Sequence, residues 1–131
     1  MRVPFLDLTA AAAGIAQNIE AAMIESARSG QYVMGPALER FETEFASFAG
    51  AAHCLGVANG LDALRLGLEA MGVGPGDEVI VPANTYIATW LAVSQCGAVP
   101  VPVEPIEATY NIDPEGVAEA ITHKTKAILV V

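Results

Sequence analysis

Hydrophobic positions in the first fifty residues repeat with the period of an α-helix. The residues that recur at every fourth position are Ile15, Ile19 and Met23. This spacing predicts an amphipathic helix that ends near Gly30. A second helix is predicted to begin at Pro36, because proline suits the first helical position, and to end at Gly50, because glycine often caps a helix C-terminus. Its apolar face consists of Leu38, Phe41, Phe45 and Phe48.

From His53 onward, short apolar runs alternate with helical patterns. Strands are predicted at Cys54–Val57, Val79–Val81, Val99–Val103 and Ala127–Val131. Helices are predicted at Leu61–Met71, at Thr85–Cys96 and around Pro114–Ile121. This β-α-β order predicts an α/β fold with a mostly parallel sheet and right-handed crossovers. The chain therefore divides into a helical segment over residues 1–50 and an α/β domain over residues 51–131.

Two apolar stretches raise the questions of a membrane span and of a truncated sheet. No charged residue lies between Val79 and Val103, a length that could in principle cross a bilayer. Prolines, a glycine and polar residues interrupt this run, so a strand, a helix and a second strand are predicted instead. The last residues, Ile128–Val131, are typical of a buried strand and no turn residue follows them. We therefore expect the α/β domain to be truncated, with part of its sheet missing.

Composition and charge narrow the choice of partners. The chain is 53% hydrophobic and carries six Lys and Arg against fifteen Asp and Glu, a net charge of −9. This charge argues against a nucleic-acid partner. Cys54 and Cys96 form no C-x-x-C motif, which argues against a zinc site or a disulfide framework. The N-terminus resembles no signal peptide, so a cytoplasmic location without a membrane partner is predicted.

A short turn at Asn59-Gly60 is the first candidate for binding chemistry. It stands between a predicted strand and a predicted helix, where unpaired amides suit a phosphate and glycine lets a ligand approach the backbone. Asn-Gly is also a common hairpin turn. The helical spacing of Leu61, Leu64 and Leu68 argues against a returning strand, although a simple turn stays possible. Asp62 is interpreted as a residue that compensates the helix dipole.

Tyr86 is the second candidate. It follows the strand at Val79–Val81 and opens the next helix, which puts it at the same end of the sheet as Gly60. Its ring could stack on a planar cofactor, or it could pack the start of the helix with its hydroxyl in water. The residues alone leave both interpretations open.

Several spaced motifs together resemble the opening of the DegT/DnrJ/EryC1/StrS family of sugar aminotransferases. They are Pro4-Phe5-Leu6-Asp7-Leu8, Gly30–Pro36 with Phe41-Glu42, Ala58–Leu64, Gly76–Pro82 running into Thr85–Thr89, Thr109–Pro114 and Thr125–Ile128. The resemblance covers nearly the whole chain. It implies a fold-type-I aminotransferase with a three-layer αβα large domain, of which this chain would be the N-terminal part. It further implies a homodimer with its active site near the subunit interface.

The resemblance also implies a cofactor, substrates and site residues. The family uses pyridoxal phosphate to transfer an amino group, usually from glutamate, to a keto sugar on a nucleoside diphosphate, and the motifs lean toward 3-keto deoxysugars. By position, Asn59, Gly60 and Leu61 would contact the cofactor phosphate and Tyr86 would stack on its ring. The segment with Gln31 and Tyr32 would lie near the substrate entrance. No metal ligand is implied.

The catalytic lysine of the family is expected beyond Val131. It forms a Schiff base with the cofactor and shuttles a proton. Neither Lys124 nor Lys126 falls in a matching motif, so the chain is predicted to be inactive alone. Two alternatives stay open: a dehydratase of the same family, with histidine in place of that lysine, and a non-catalytic binding or regulatory relative.

Overall fold

A computed structural model describes residues 3–131 and divides the chain into two compact units, Met1–Gly56 and Val57–Val131. Within the described residues, none of the helices combines the length and the apolar character needed to cross a bilayer. The charge-free stretch between Val79 and Val103 forms a strand, a helix and a strand, as its prolines predicted.

The first unit is helical. Its elements are α1 (Leu8–Ala12), a short 3₁₀ turn (Ala13–Ile15), α2 (Ala16–Ser29) and α3 (Pro36–Ala49). Both predicted helices are confirmed, and so are their ends. Gly30 and Gly50 have φ angles of 68° and 66°, in the left-handed region where glycine avoids the steric cost of a side chain. Pro36 occupies the first turn of α3.

The predicted strand at Cys54–Val57 is wrong, because this segment has no regular secondary structure. A strand needs a neighbouring strand to satisfy its backbone groups. Here the Gly56 amide donates instead to a carboxylate oxygen of Glu42 in α3, at 2.8 Å. The sequence pattern correctly showed that this segment is apolar. Among the described residues, however, no strand pairs with it.

The second unit holds a three-stranded parallel sheet. Its elements are α4 (Gly60–Ala70), β1 (Glu78–Pro82), α5 (Ile87–Gln95), β2 (Val99–Val103), α6 (Pro114–Ala120) and β3 (Thr125–Ile128). The strand order is β2-β1-β3, and both pairings are parallel, as the β-α-β pattern predicted. The last strand differs from the prediction, since it begins at Thr125 and ends at Ile128. Lys126 therefore lies inside β3 and does not precede it.

Sequence chemistry explains the positions of the strands. The central strand β1 is buried, with Val79, Ile80 and Val81 at 0% exposure. β2 contains Pro100 and Pro102, which lack the amide that a central strand would need, and it lies at an edge of the sheet. Beyond the end of β3, Val130 and Val131 are exposed.

The core of the second unit forms where α4 and α5 pack together beside β1. Its buried residues are Leu68, Val73, Val79, Val81, Ala92, Val93, Cys96 and Ala98. Leu61, Leu64 and Trp90 pack against this cluster. The start of α4 and the start of α5 are thus held by the same core, which fixes the loops that precede them.

Candidate functional site

The N-terminus of α4 presents unpaired backbone amides. Asn59 caps this helix, since its side-chain oxygen accepts a hydrogen bond from the Asp62 amide at 2.9 Å. The amides of Gly60 and Leu61 donate to no acceptor within residues 3–131. Such amides carry the positive end of the helix dipole and are suited to an anion.

Gly60 leaves this helix end open. A Cβ atom placed on Gly60 would meet no atom within 4 Å outside its own helix backbone. Its φ does not lie in the left-handed region, so the backbone conformation alone does not demand glycine. The missing side chain therefore provides room for a ligand beside the amide rather than relief of strain.

Tyr86 lies at the start of α5, in the loop that follows β1. It is the N-terminal cap residue of the helix, and its side chain makes no capping hydrogen bond. Tyr86 is 80% exposed. Aromatic rings bury much apolar area when they find a planar partner, so this exposed ring is available to a ligand.

One cavity of about 690 Å³ joins these features. It is lined by Asn59, Gly60 and Leu61 from the start of α4 and by Tyr86 from the start of α5. The structure thus brings together the four residues that were predicted to bind the cofactor. Apolar side chains form most of the remaining wall, namely Leu64, Ile87, Ala88, Leu91, Val130 and Val131.

Two threonines in this cavity were missed by the sequence reasoning. The hydroxyls of Thr85 and Thr89 lie 2.8 Å apart and share a hydrogen bond, and Thr89 is only 5% exposed. Both line the cavity. Their spacing of four residues across a helix start is the signal that could have identified them, because residues at that spacing are neighbours on a helix.

The two lysines lie near the start of β3. Lys124 precedes the strand and Lys126 is inside it, whereas Val130 and Val131, which line the cavity, follow it. Six residues of extended chain span about 20 Å. The Lys124 side chain is therefore too far from the cavity to reach a ligand within it.

Gln31 and Tyr32 belong to the other compact unit. Both are exposed, and the Tyr32 hydroxyl donates to the Ala27 carbonyl at 3.0 Å. Gln31 lines a smaller cavity of about 220 Å³ between α2 and α3. Within their unit these residues follow the left-handed turn at Gly30.

Local charges beside the cavity are partly neutralised. The Asp62 carboxylate accepts a hydrogen bond from the Asn59 side-chain amide at 3.0 Å and lies 3.9 Å from Arg65. Arg65 also pairs with Glu69 at 2.8 Å. Asp62 thus fits the interpretation of a residue that compensates the helix dipole. Arg65 is absent from the cavity wall.

Cys96 is a buried thiol at the C-terminal end of α5. Burial raises its pKa, the Glu69 carboxylate raises the pKa further, and Arg65 opposes the shift. Its S–H donates to the Arg65 carbonyl, with sulfur and oxygen 3.6 Å apart. A buried thiol of raised pKa packs as a small apolar group rather than acting as a nucleophile.

Comparison with known proteins assigns the chain to a family. The model of the DegT/DnrJ/EryC1/StrS aminotransferase family matches residues 14–131. The dTDP-3-amino-3,4,6-trideoxy-alpha-D-glucose transaminase of Streptomyces venezuelae is 54% identical over 98% of this chain and 34% of its own length. The erythromycin biosynthesis sensory transduction protein EryC1 of Saccharopolyspora erythraea is 55% identical over 98% of this chain and 35% of its own length.

Solved structures agree with this assignment. S. venezuelae DesV, crystallised in complex with a ketimine intermediate, matches with a TM-score of 0.91 and 53% identity, over 98% of this chain and 35% of that one. Other similar structures hold the cofactor as PLP or PMP. This chain spans about a third of the length of the relatives it matches. The predicted fold class, the N-terminal portion of a fold-type-I aminotransferase, is confirmed, and the chain belongs to the DegT/DnrJ/EryC1/StrS aminotransferase family.

Proposed function

We propose that this chain is the N-terminal part of a pyridoxal-phosphate-dependent nucleotide-sugar aminotransferase. The full-length protein would transfer an amino group from glutamate to C3 of a keto deoxysugar nucleotide. It would act in the cytoplasm as a homodimer. The 131-residue chain alone would supply part of the cofactor site and no catalysis.

The observation that carries this proposal is the cavity that joins the open amides of α4 to the ring of Tyr86. A phosphate needs hydrogen-bond donors, which the amides of Gly60 and Leu61 offer. A pyridine ring needs an apolar face, which Tyr86 and the apolar wall offer. Because donors and ring line one cavity, the residues present fit both ends of pyridoxal phosphate.

Each site residue then has a defined task. Gly60 and Leu61 would bind the phosphate through their amides, and Asn59 would hold the helix start through its bond to the Asp62 amide. Tyr86 would stack on the ring. Bound pyridoxal phosphate supplies an electron sink for the carbon that gains or loses the amino group. The cavity has no lysine in its wall, so proton transfer at that carbon would fall to a residue outside these 131.

The substrate class is supported by the relatives. The S. venezuelae relative is named for a sugar with its amino group at C3 on a dTDP carrier. At 54% identity over nearly the whole of this chain, a related keto sugar nucleotide is the substrate that we propose. Gln31 and Tyr32 are proposed to lie near its entrance.

Cofactor absorbance and amination of the full-length protein test this proposal. The purified protein is expected to bind pyridoxal phosphate, with an absorption band that glutamate converts to that of the amine form. It should then aminate a dTDP-linked 3-keto-6-deoxyhexose, detected by the mass of the product. Cofactor binding with loss of water from the sugar instead of amination would favour the family's dehydratase chemistry.

A regulatory role is the second candidate. It is favoured by the relative from Saccharopolyspora erythraea, which is named as a sensory transduction protein and is 55% identical over 98% of this chain. A full-length protein that binds neither pyridoxal phosphate nor a sugar nucleotide would support this candidate and contradict the enzymatic one.

A further inference from the structure

The loop that carries Tyr86 is anchored on three sides. This loop, residues 83–86, connects β1 to α5. The Ala83 amide donates to the Val103 carbonyl of β2 at 2.9 Å. The Thr85 hydroxyl pairs with that of Thr89 in α5. The Asn84 side-chain amide donates to the Tyr110 carbonyl at 3.0 Å, across 26 residues of sequence. The loop is thereby fixed to its own helix, to the edge strand and to the segment that follows that strand.

The acceptor in the third contact belongs to a compact segment after β2. The Ile106 amide donates to Asn111 and the Tyr110 amide donates to Ile106, each at 2.8 Å, and Pro105 pairs with Ile112 in an antiparallel bridge. Tyr110 has a φ of 58°, which is rare for a bulky residue. Such backbone conformations persist where the surroundings over-determine them, and they cluster at functional sites. Within the described residues, Asn84 supplies the side-chain hydrogen bond that joins this turn to the Tyr86 loop.

Tyr86 depends on the anchoring of its loop, because its own side chain makes no hydrogen bond within the described residues. Within residues 3–131 its hydroxyl makes no hydrogen bond, and the residue is 80% exposed. The position from which its ring extends is therefore set by the backbone of the loop, two residues after Asn84. A loop that moves would present the ring at a range of angles, and a stacked contact requires one of them.

We propose that Asn84 is a positioning residue that holds Tyr86 for stacking on the cofactor by tethering the Tyr86 loop to the Tyr110 carbonyl. The inference rests on the proposed function, since it assigns Tyr86 a cofactor to meet. Asn84 itself is absent from the cavity wall. It therefore acts through the loop and not by contact with the ligand.

Substitution of Asn84 in the full-length protein tests the tether. Asn84→Ala removes the donor, and Asn84→Asp keeps the size but turns a carboxylate toward a carbonyl. Asn111→Ala is the matched control, because Asn111 is exposed on the same turn and its side chain makes no hydrogen bond within the described residues. Titration with pyridoxal phosphate, followed by absorbance, gives the dissociation constant. Hydrogen exchange of residues 83–89 and 106–111 reports the loops without any ligand.

We expect both Asn84 variants to bind pyridoxal phosphate roughly threefold to tenfold more weakly, the loss that one ordinary hydrogen bond implies. Exchange should quicken in both loops, and Asn111→Ala should match the wild type. In a Tyr86→Ala background, Asn84→Ala should cause no further loss, because a positioning residue acts through the ring that it positions.

Three other results would contradict the positioning role of Asn84, and they can be told apart. An additive loss in the Tyr86→Ala background would show that Asn84 affects the cofactor independently of Tyr86. Unchanged exchange and unchanged affinity in Asn84→Ala would show that the tether has no role, while the proposed function stands. A wild-type protein that binds no pyridoxal phosphate would overturn the proposed function and remove the positioning role with it.

Discussion

A substitution at Gly60 should change the affinity for the cofactor while leaving the stability of the fold almost unchanged. A side chain at this position points into open space, since an added Cβ meets no atom within 4 Å. Gly60 also starts a helix, where glycine is a poor helix former relative to alanine. Gly60→Val should therefore change the free energy of unfolding by no more than about 0.5 kcal/mol, as is usual for exposed positions. In the cavity, however, the new methyl groups would occupy the space beside the amides that we assign to the phosphate.

The expected effect on binding follows from the hydrogen bonds that would be lost. A hydrogen bond to a charged group contributes about 1.5–3 kcal/mol. Displacement of the phosphate from one amide should then weaken pyridoxal phosphate by roughly 10–150-fold, at about 1.4 kcal/mol for each factor of ten. If the phosphate lost both the Gly60 and Leu61 amides, the loss would exceed this range. The assay is absorbance titration of the full-length protein, with thermal melting in parallel.

Gly67 provides the matched control. It lies in the same helix, is exposed, and an added Cβ there also meets no atom within 4 Å. Gly67→Val therefore adds the same side chain to the same helix without blocking the cavity. Unchanged cofactor affinity in Gly60→Val would remove Gly60 from the site. Equal losses in both variants would trace the effect to the helix and refute the steric argument.

Three further predictions test other parts of the site. Tyr86→Ala should weaken the binding of pyridoxal phosphate by roughly twofold to twelvefold, since a ring contact contributes ~0.5–1.5 kcal/mol beyond buried area. Tyr86→Phe should keep the affinity, and equal damage from both variants would make the hydroxyl the working group. The Cys96 thiol should react with a disulfide reagent more slowly than the Cys54 thiol at pH 8, because Cys96 is buried and its raised pKa leaves less thiolate. The reaction rate of Cys96 should continue to rise as the pH is increased above 8. Equal rates for the two thiols, measured by mass spectrometry, would contradict the burial of Cys96. The isolated chain, supplied with pyridoxal phosphate, a nucleotide keto sugar and glutamate, should show no transamination and, after borohydride reduction, no stoichiometric adduct on Lys124 or Lys126, because neither lysine lines the cavity. A single stoichiometric adduct accompanied by turnover would mean that the site is misplaced.

The sequence predicted the helices well because their signals are local. Gly30 and Gly50 mark helix ends through their own backbone freedom, and Pro36 marks a start through its fixed φ. The order of β1, α5 and β2 followed from changes of period within a few residues. These features do not depend on what the segment later packs against.

The failures concern features that depend on distant partners. The apolar run at Cys54–Val57 became irregular, because a strand exists only with a neighbour and its Gly56 amide found the Glu42 carboxylate. The cavity wall includes Val130 and Val131, whose position depends on the register of β3 against β1. Sequence periodicity carries no information on that register, so these residues could not be predicted as part of the site.

The charge of the chain makes the open amides of α4 more significant. With a net charge of −9, the protein as a whole repels anions, and neither lysine nor arginine lines the cavity. The Asp62 carboxylate, in the first turn of α4, is held by the Asn59 side-chain amide at 3.0 Å and lies near Arg65. That arrangement uses the carboxylate to order the cap, and the Gly60 and Leu61 amides have no acceptor among residues 3–131. Within the described residues, a phosphate in this cavity would be bound by backbone dipoles, which act at short range and are screened less by salt than exposed side-chain charges.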